Sequence, residues 1–178
     1  DTKVEAKKLE RRNDDAMSET GNGVLTEVYV DTDAKETTIA QIHTYLAQVT
    51  GDYNDRNDTL RLGVYTADDS PRTYVAELDD VANLKDFEDE DWVLVTMADD
   101  VIMSVADAEI IGDQSATKYT SNSNGMTSIT ANGTKYDVAY EAHTDAEILK
   151  NYTLEQLYQY RYDLYMDAYG YVIGIAET

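Results

Sequence analysis

The sequence predicts a mainly β fold. Antiparallel hairpins or a meander would form one or two small sandwich-like or barrel-like units, with one short helix near residues 144–150. Three observations carry this. First, the 178 residues include 15 tyrosines against one Trp and one Phe, and Tyr, Thr and Val suit strands because bulky or branched side chains pack on a pleated surface. Second, several short runs alternate apolar and polar residues with period two. Third, clusters of Asp, Asn and Gly punctuate the runs with turn chemistry. Proline occurs once, which leaves no room for long proline-rich linkers.

The elements follow in order. Residues 1–23 are polar, carry the short basic run Lys7-Lys8-Leu9-Glu10-Arg11-Arg12 and end at Gly21-Asn22-Gly23, so they read as an edge strand or the tail of a preceding module. Val24–Asp31 reads as a strand and Thr32-Asp33-Ala34-Lys35 as its turn. Thr37–Val49 is rich in β-branched residues, although Ile39, Ile42, Leu46 and Val49 also fit a helical spacing. Thr59–Tyr65 alternates as a half-buried strand should, and Arg72–Leu78 returns after the turn Ala67–Pro71. Asp79–Asp91 is an acidic loop with one helical turn around Val81–Leu84. Trp92–Ala98 is a continuous apolar run, the pattern of a strand covered on both faces, and Val101–Val105 returns from it.

Ala108–Ile111 is read as continuing this sheet, and Gly112-Asp113 as a joint between a first β module, 24–112, and a second, 113–178. In the second, Asn132-Gly133 between Met126–Ala131 and Thr134–Tyr140 is a strong hairpin signal, since both residues tolerate positive φ. Thr144, with Glu147 three residues on, caps the expected short helix, and Thr153–Gln159 suggests a further helical turn. The chain ends in a hairpin from Tyr162–Met166 through Asp167–Gly170 to Tyr171–Ile175. Its Leu164-Tyr165-Met166-Asp167 echoes Val28-Tyr29-Val30-Asp31, a similarity too short to establish a repeat.

Charge narrows the partners. With 36 acidic against 14 basic side chains the net charge is −22, which repels phosphates and anionic lipid and argues against nucleic acid and membrane insertion. Cysteine is absent, which excludes disulfides, thiol catalysis and cysteine-based zinc sites. No segment approaches the roughly 20 apolar residues of a membrane helix. The opening Asp1-Thr2-Lys3-Val4 does not read as a translation start, so an export signal or anchor is expected outside these residues.

The stretch Tyr162–Ile175 resembles a segment common in large surface proteins of gut Firmicutes that carry S-layer homology domains, as do Phe87–Thr96 and Asn132–Tyr136. The resemblance is one of strand and turn style. It implies an extracellular location at the cell surface or wall, and a role as an array, stalk or display module among neighbouring modules of one protein. The wall-binding homology domain itself is not recognisable here, so its anchoring role does not transfer.

His43 and His143 lack the spacing of a zinc site or triad, and neither a nucleophile elbow nor a phosphate loop is present. The reading is therefore non-enzymatic, with a carboxylate-pair glycosidase as the least favoured alternative. Asp52, Asn54 and Asp58 begin like a calcium loop, but Arg56 stands at a ligand position, Asn57 replaces the glycine and Gly63 the final glutamate. Asp31 and Asp33, with Asp89 and Asp91 of the acidic run, would complete irregular calcium sites; calcium is the one cofactor these acids would suit. Tyr158, Tyr160 and Tyr162 would share one strand face and, with Tyr165, either form a core or stack on a glycan or host protein. A halophilic protein with a salt-adapted acidic surface is a further alternative.

Overall fold

A computed structural model of the chain describes residues 20–65, 71–98, 100–123, 125–144 and 157–178. Twelve strands are present among them: β1 Leu25–Asp31, β2 Glu36–Val49, β3 Thr59–Tyr65, β4 Arg72–Glu77, β5 Trp92–Ala98, β6 Val101–Asp107, β7 Glu109–Gln114, β8 Ala116–Asn122, β9 Gly125–Ala131, β10 Thr134–Thr144, β11 Tyr162–Met166 and β12 Val172–Glu177. The mainly β fold is thus as expected, arranged as two packed sheets without barrel closure. The helix expected near 144–150, apart from Thr144, which ends β10, most of the Thr153–Gln159 turn and all but Pro71 of the Ala67–Pro71 turn lie outside the described residues.

The first sheet runs β4-β3-β2-β5-β6, with β1 paired to β2. The ambiguity of Thr37–Val49 resolves as strand because β2 has neighbours along its whole length. Its first half pairs with β1, and its second half lies between β3 and β5. One face carries Ala47, Val49, Leu60, Leu62, Val64, Val93 and Val95. The acidic loop covers this face by turning Val81, Leu84 and Phe87 inward and its acids outward. The helical turn expected around Val81–Leu84 is a short 3₁₀ turn over Leu84–Asp86. The strand β5 is covered on both sides: Val93, Val95 and Met97 face this core, and Leu94 faces the other sheet.

The second sheet runs β7-β11-β12-β10-β9-β8. It is not wholly antiparallel, since β10 and β12 run parallel. Its two edge strands, β7 and β8, are joined by Ser115 alone, so the sheet curls to bring the end of β7 beside the start of β8 without pairing them. The curl encloses Ala116, Ile129, Ala131, Val138, Leu157, Tyr162, Leu164 and Met166. Asn132 and Gly133 take φ of 46° and 82°, the positive pair of a tight hairpin turn. Asn132 also holds the corner, donating its N–H to the Ser115 carbonyl and accepting the Ser115 N–H at Oδ1.

The joint read at Gly112-Asp113 needs correction. Both residues lie inside β7, and the chain changes sheets earlier, at Ala108; Ala108–Ile111 therefore leads into the second sheet. Gly112 and a left-handed Asp113 (φ 56°) mark a bulge opposite Asp163, and the residue types that signal a linker also signal a bulge. Arg161 clasps this bulge. Its guanidinium donates to both carboxylate oxygens of Asp113 (2.6 and 2.7 Å), to the Asp113 carbonyl and to Ser115 Oγ. The Arg161 hydrogen bonds hold the Asp113 carboxyl below its ordinary 3.8. A lowered folded-state pKa contributes stability above 3.8 and loses it as pH falls through the folded value. Arg161→Ala is therefore expected to lower Tm modestly at pH 7, with the difference from the parent shrinking in strong acid; scanning calorimetry across pH checks this.

The sheets meet along a narrow seam. Leu46 and Leu94 of the first pack against Ala139, Tyr165 and Ile173 of the second. Trp92 lies 4.9 Å from Tyr165, ring centre to ring centre. His43 Nδ1 is 2.8 Å from Glu141 Oε1, linking β2 to β10 with both side chains only 12% exposed.

A second link comes from Gly21-Asn22-Gly23. Between Val138 and His143 the pairing of β10 with β12 is irregular, and here Tyr140 N–H donates to the Asn22 carbonyl while Asn22 Nδ2 donates to the Val138 carbonyl. The segment turns through a Val24 N–H to Gly21 carbonyl bond with Gly23 at φ +81°, a turn that needs glycine at that place.

Candidate interaction surface

The residues singled out as calcium ligands fall in three turns. Asp31 closes β1 and accepts the Asp33 and Ala34 N–H groups at Oδ1, both at 2.9 Å. Asn54 accepts the Arg56 and Asn57 N–H groups at Oδ1. Asp58, left-handed at φ 54°, accepts from the Tyr53 hydroxyl at 2.8 Å. Asp91 accepts the Glu88 N–H at 2.7 Å. These oxygens organise turns, as short polar side chains do when they bond backbone groups two or three residues on. Asp52 and Asp89 are exposed in the same loops. The structure brings the loop of Asp52, Asn54 and Asp58 near that of Asp89 and Asp91, since Lys85 Nζ lies 5.1 Å from the centre of the Tyr53 ring, while Asp31 and Asp33 stand apart on the β1–β2 turn. Among the described residues no group of three or more His, Asp or Glu side chains is placed to hold a metal ion.

Tyr53 reports on its loop. Partial burial first, and donation to Asp58 second, push its phenol up to about 12. Asn54→Ala removes the acceptor for two N–H groups and should cost about 1 kcal/mol, read as a lower urea midpoint.

The tyrosines do not share a strand face. Tyr158 and Tyr160 precede β11 in a turn, so the expected alternation with Tyr162 fails; period-two spacing has meaning only inside a strand. Tyr158 is exposed and donates to the Thr117 carbonyl, whereas Tyr160 packs partly against the curled sheet's interior. Tyr162 is buried and donates to the Leu157 carbonyl. Tyr165 is buried in the seam against Trp92. Its pKa is raised by burial, then by Asp163 and Tyr65.

The most exposed apolar surface was not anticipated. The first half of β2 and all of β1 form a two-stranded arm beyond the part of β2 that β3 and β5 flank. Leu25, Val28, Tyr29 and Val30 are exposed on it, Val30 by 66%. On one face of β1 stand Leu25, Glu27, Tyr29 and Asp31, with the Tyr29 hydroxyl donating to Glu27. On the other stand Thr26, Val28 and Val30, opposite Gln41, Ile39 and Thr37 of β2. The signal was present in sequence as the strand-like run Val24–Asp31, but such a run does not tell whether its apolar residues will be covered.

A scan against models of known protein families finds no match to this chain, and a search of curated proteins finds none either.

Proposed function

We propose that this chain is a non-catalytic structural and interaction module of an S-layer-type bacterial surface protein, working outside the cell alongside neighbouring modules. The observation that carries the reading is the arm: an exposed, partly apolar β ribbon on a two-sheet body is a device for contact with another macromolecule. The acids support the same reading, because several of them close turns or brace a bulge, and the exposed remainder would form a hydrated anionic skin. The strand and turn style of Tyr162–Ile175, now a hairpin of two ordered strands, supports the likeness to surface-protein segments. No helix among the described residues is long and apolar enough to cross a membrane.

Antibodies raised against the chain test the location. Staining of intact source cells is expected; staining only after permeabilisation overturns the reading. The non-catalytic part fails if polysaccharide or peptide turnover appears and a single Asp or Glu substitution abolishes it.

A further inference from the structure

We infer that β1 is a strand-addition site for an extended segment in which cationic residues alternate with β-branched ones. The inference rests on the reading of the chain as an interaction module and names the chemistry of its partner.

An edge strand offers a row of backbone N–H and C=O groups on alternate residues, and proteins ordinarily blunt such edges with charged side chains, above all Lys, and with Pro, bulges or brevity. Among the described residues there are five edge strands: β1, β4, β6, β7 and β8. Four carry such a device. Arg72 opens β4 directly after Pro71. The ladder of β6 breaks register between Thr96 and Met97 of β5. That of β7 breaks between Tyr162 and Leu164 of β11. In β8 there are Lys118 and two irregularities. By contrast, β1 pairs with β2 through seven consecutive positions without a break, contains no Lys, Arg or Pro, and carries only acidic charges, Glu27 and Asp31, which repel a like strand but not a cationic one. Its backbone bonds run to β2 alone among the described residues. Along residues 36–42 β2 also pairs with β1 alone, but β1 is the more exposed of the two and is left able to accept another strand, which is how extended peptides join sheets.

The faces of β1 select the guest. A strand laid beside it continues both faces of the ribbon, with each guest side chain beside a β1 side chain of the same face. On the face of Glu27 and Asp31, where Asp31 also stands directly opposite Glu36, a cation fits and an anion is repelled. On the face of Val28 and Val30, which are 55% and 66% exposed, a β-branched residue covers apolar surface. The protein's charge of −22 steers cationic partners inward and disfavours a second copy of the same acidic chain.

The test uses the full chain and a labelled peptide of alternating Lys and Val, as long as β1, titrated at about 0.15 M salt so that diffuse attraction is screened. Two control peptides keep its charge: one with the same composition in scrambled order, and one N-methylated at alternate amides so that it cannot pair. We expect the alternating peptide to bind at least about tenfold more tightly than either control, a gap of about 1.4 kcal/mol. Backbone NMR shifts should be confined to residues 25–31 and 36–42. The variant E27K/D31N, which leaves an acceptor at the turn, should weaken binding about tenfold while the far-UV spectrum stays unchanged. Equal binding of the N-methylated peptide, or shifts centred on another surface, overturns the inference. So does a peptide-free dimer that Val28→Lys dissolves, because the occupant would then be a second copy. Those outcomes leave the surface-module reading standing, and cell staining tests that separately.

Discussion

Gly174→Ala is expected to destabilise the protein by about 1–3 kcal/mol, the range for overpacking a filled core. A Cβ at this position would overlap Leu46 Cδ2 and lie 3.2 Å from Tyr165 Cδ2 and 3.3 Å from Tyr165 Cβ. Leu46 cannot swing away, because it is 1% exposed and packed with Leu94, Ala139, Tyr165 and Ile173. Glycine at 174 is what lets a leucine of the first sheet rest on the backbone of β12. The strain falls at the seam, where Trp92, the one tryptophan, lies tilted against Tyr165, so tryptophan fluorescence during urea unfolding reads the seam directly. Leu46→Ala alone should cost about 2–5 kcal/mol by opening a cavity. Combined with Gly174→Ala the loss should be smaller than the sum, since the new methyl enters the vacated space. Strictly additive losses would mean that the two positions do not meet.

The second large effect concerns Asp167, a buried carboxyl in the β11–β12 turn. Oδ1 accepts the Tyr169 and Tyr171 N–H groups at 2.9 and 2.8 Å, while Oδ2 is buried without a hydrogen-bond partner among the described residues. Gly23 lies over it: a Cβ there would come 2.5 Å from Oδ2, and the φ of +81° also favours glycine. Burial raises the Asp167 pKa above its ordinary 3.8, and the backbone N–H groups offset only part of that. A raised folded-state pKa means that the folded protein holds its proton more tightly than the unfolded chain. The resulting stability is complete below 3.8 and is lost as pH rises through the folded value. D167N keeps the accepting oxygen and removes the ionisation. It should therefore gain on the parent as pH climbs above 3.8, and by pH 7 be at least as stable. Asp167→Ala strips the acceptor from two N–H groups and should cost about 1–3 kcal/mol below pH 3.8, and less as pH climbs and the parent loses stability. Urea midpoints from pH 3 to 7 decide: a difference between D167N and the parent that does not change with pH would show that Asp167 does not titrate in a buried site.

Several elements were legible because their signals are local. The runs Thr59–Tyr65 and Trp92–Ala98 became β3 and β5 with the same bounds, since alternation or a bounded apolar run is enough to specify a strand. The Asn132-Gly133 hairpin formed as read. The strand β8 was not foreseen because Thr117, Lys118, Thr120, Ser121 and Asn122 leave it little apolar signal beyond Ala116 and Tyr119, and it exists because β9 pairs with it. Gly112-Asp113 was read as a joint and proved a bulge, because positive φ looks the same in either. The seam residues Leu46, Leu94, Tyr165 and Gly174 could not be grouped beforehand, as they come from distant parts of the chain.

The echo between Val28-Tyr29-Val30-Asp31 and Leu164-Tyr165-Met166-Asp167 separates what each level decided. Sequence by itself determined that both would be strands ending in an aspartate, and both aspartates do close their turns by accepting two backbone N–H groups. That outcome needs only neighbours along the chain. Only the tertiary structure decided that β1 would stand exposed on an arm while β11 is buried between β7 and β12. Burial depends on which distant strands arrive on either side, and a pattern of period two states which face is apolar without stating what will cover it.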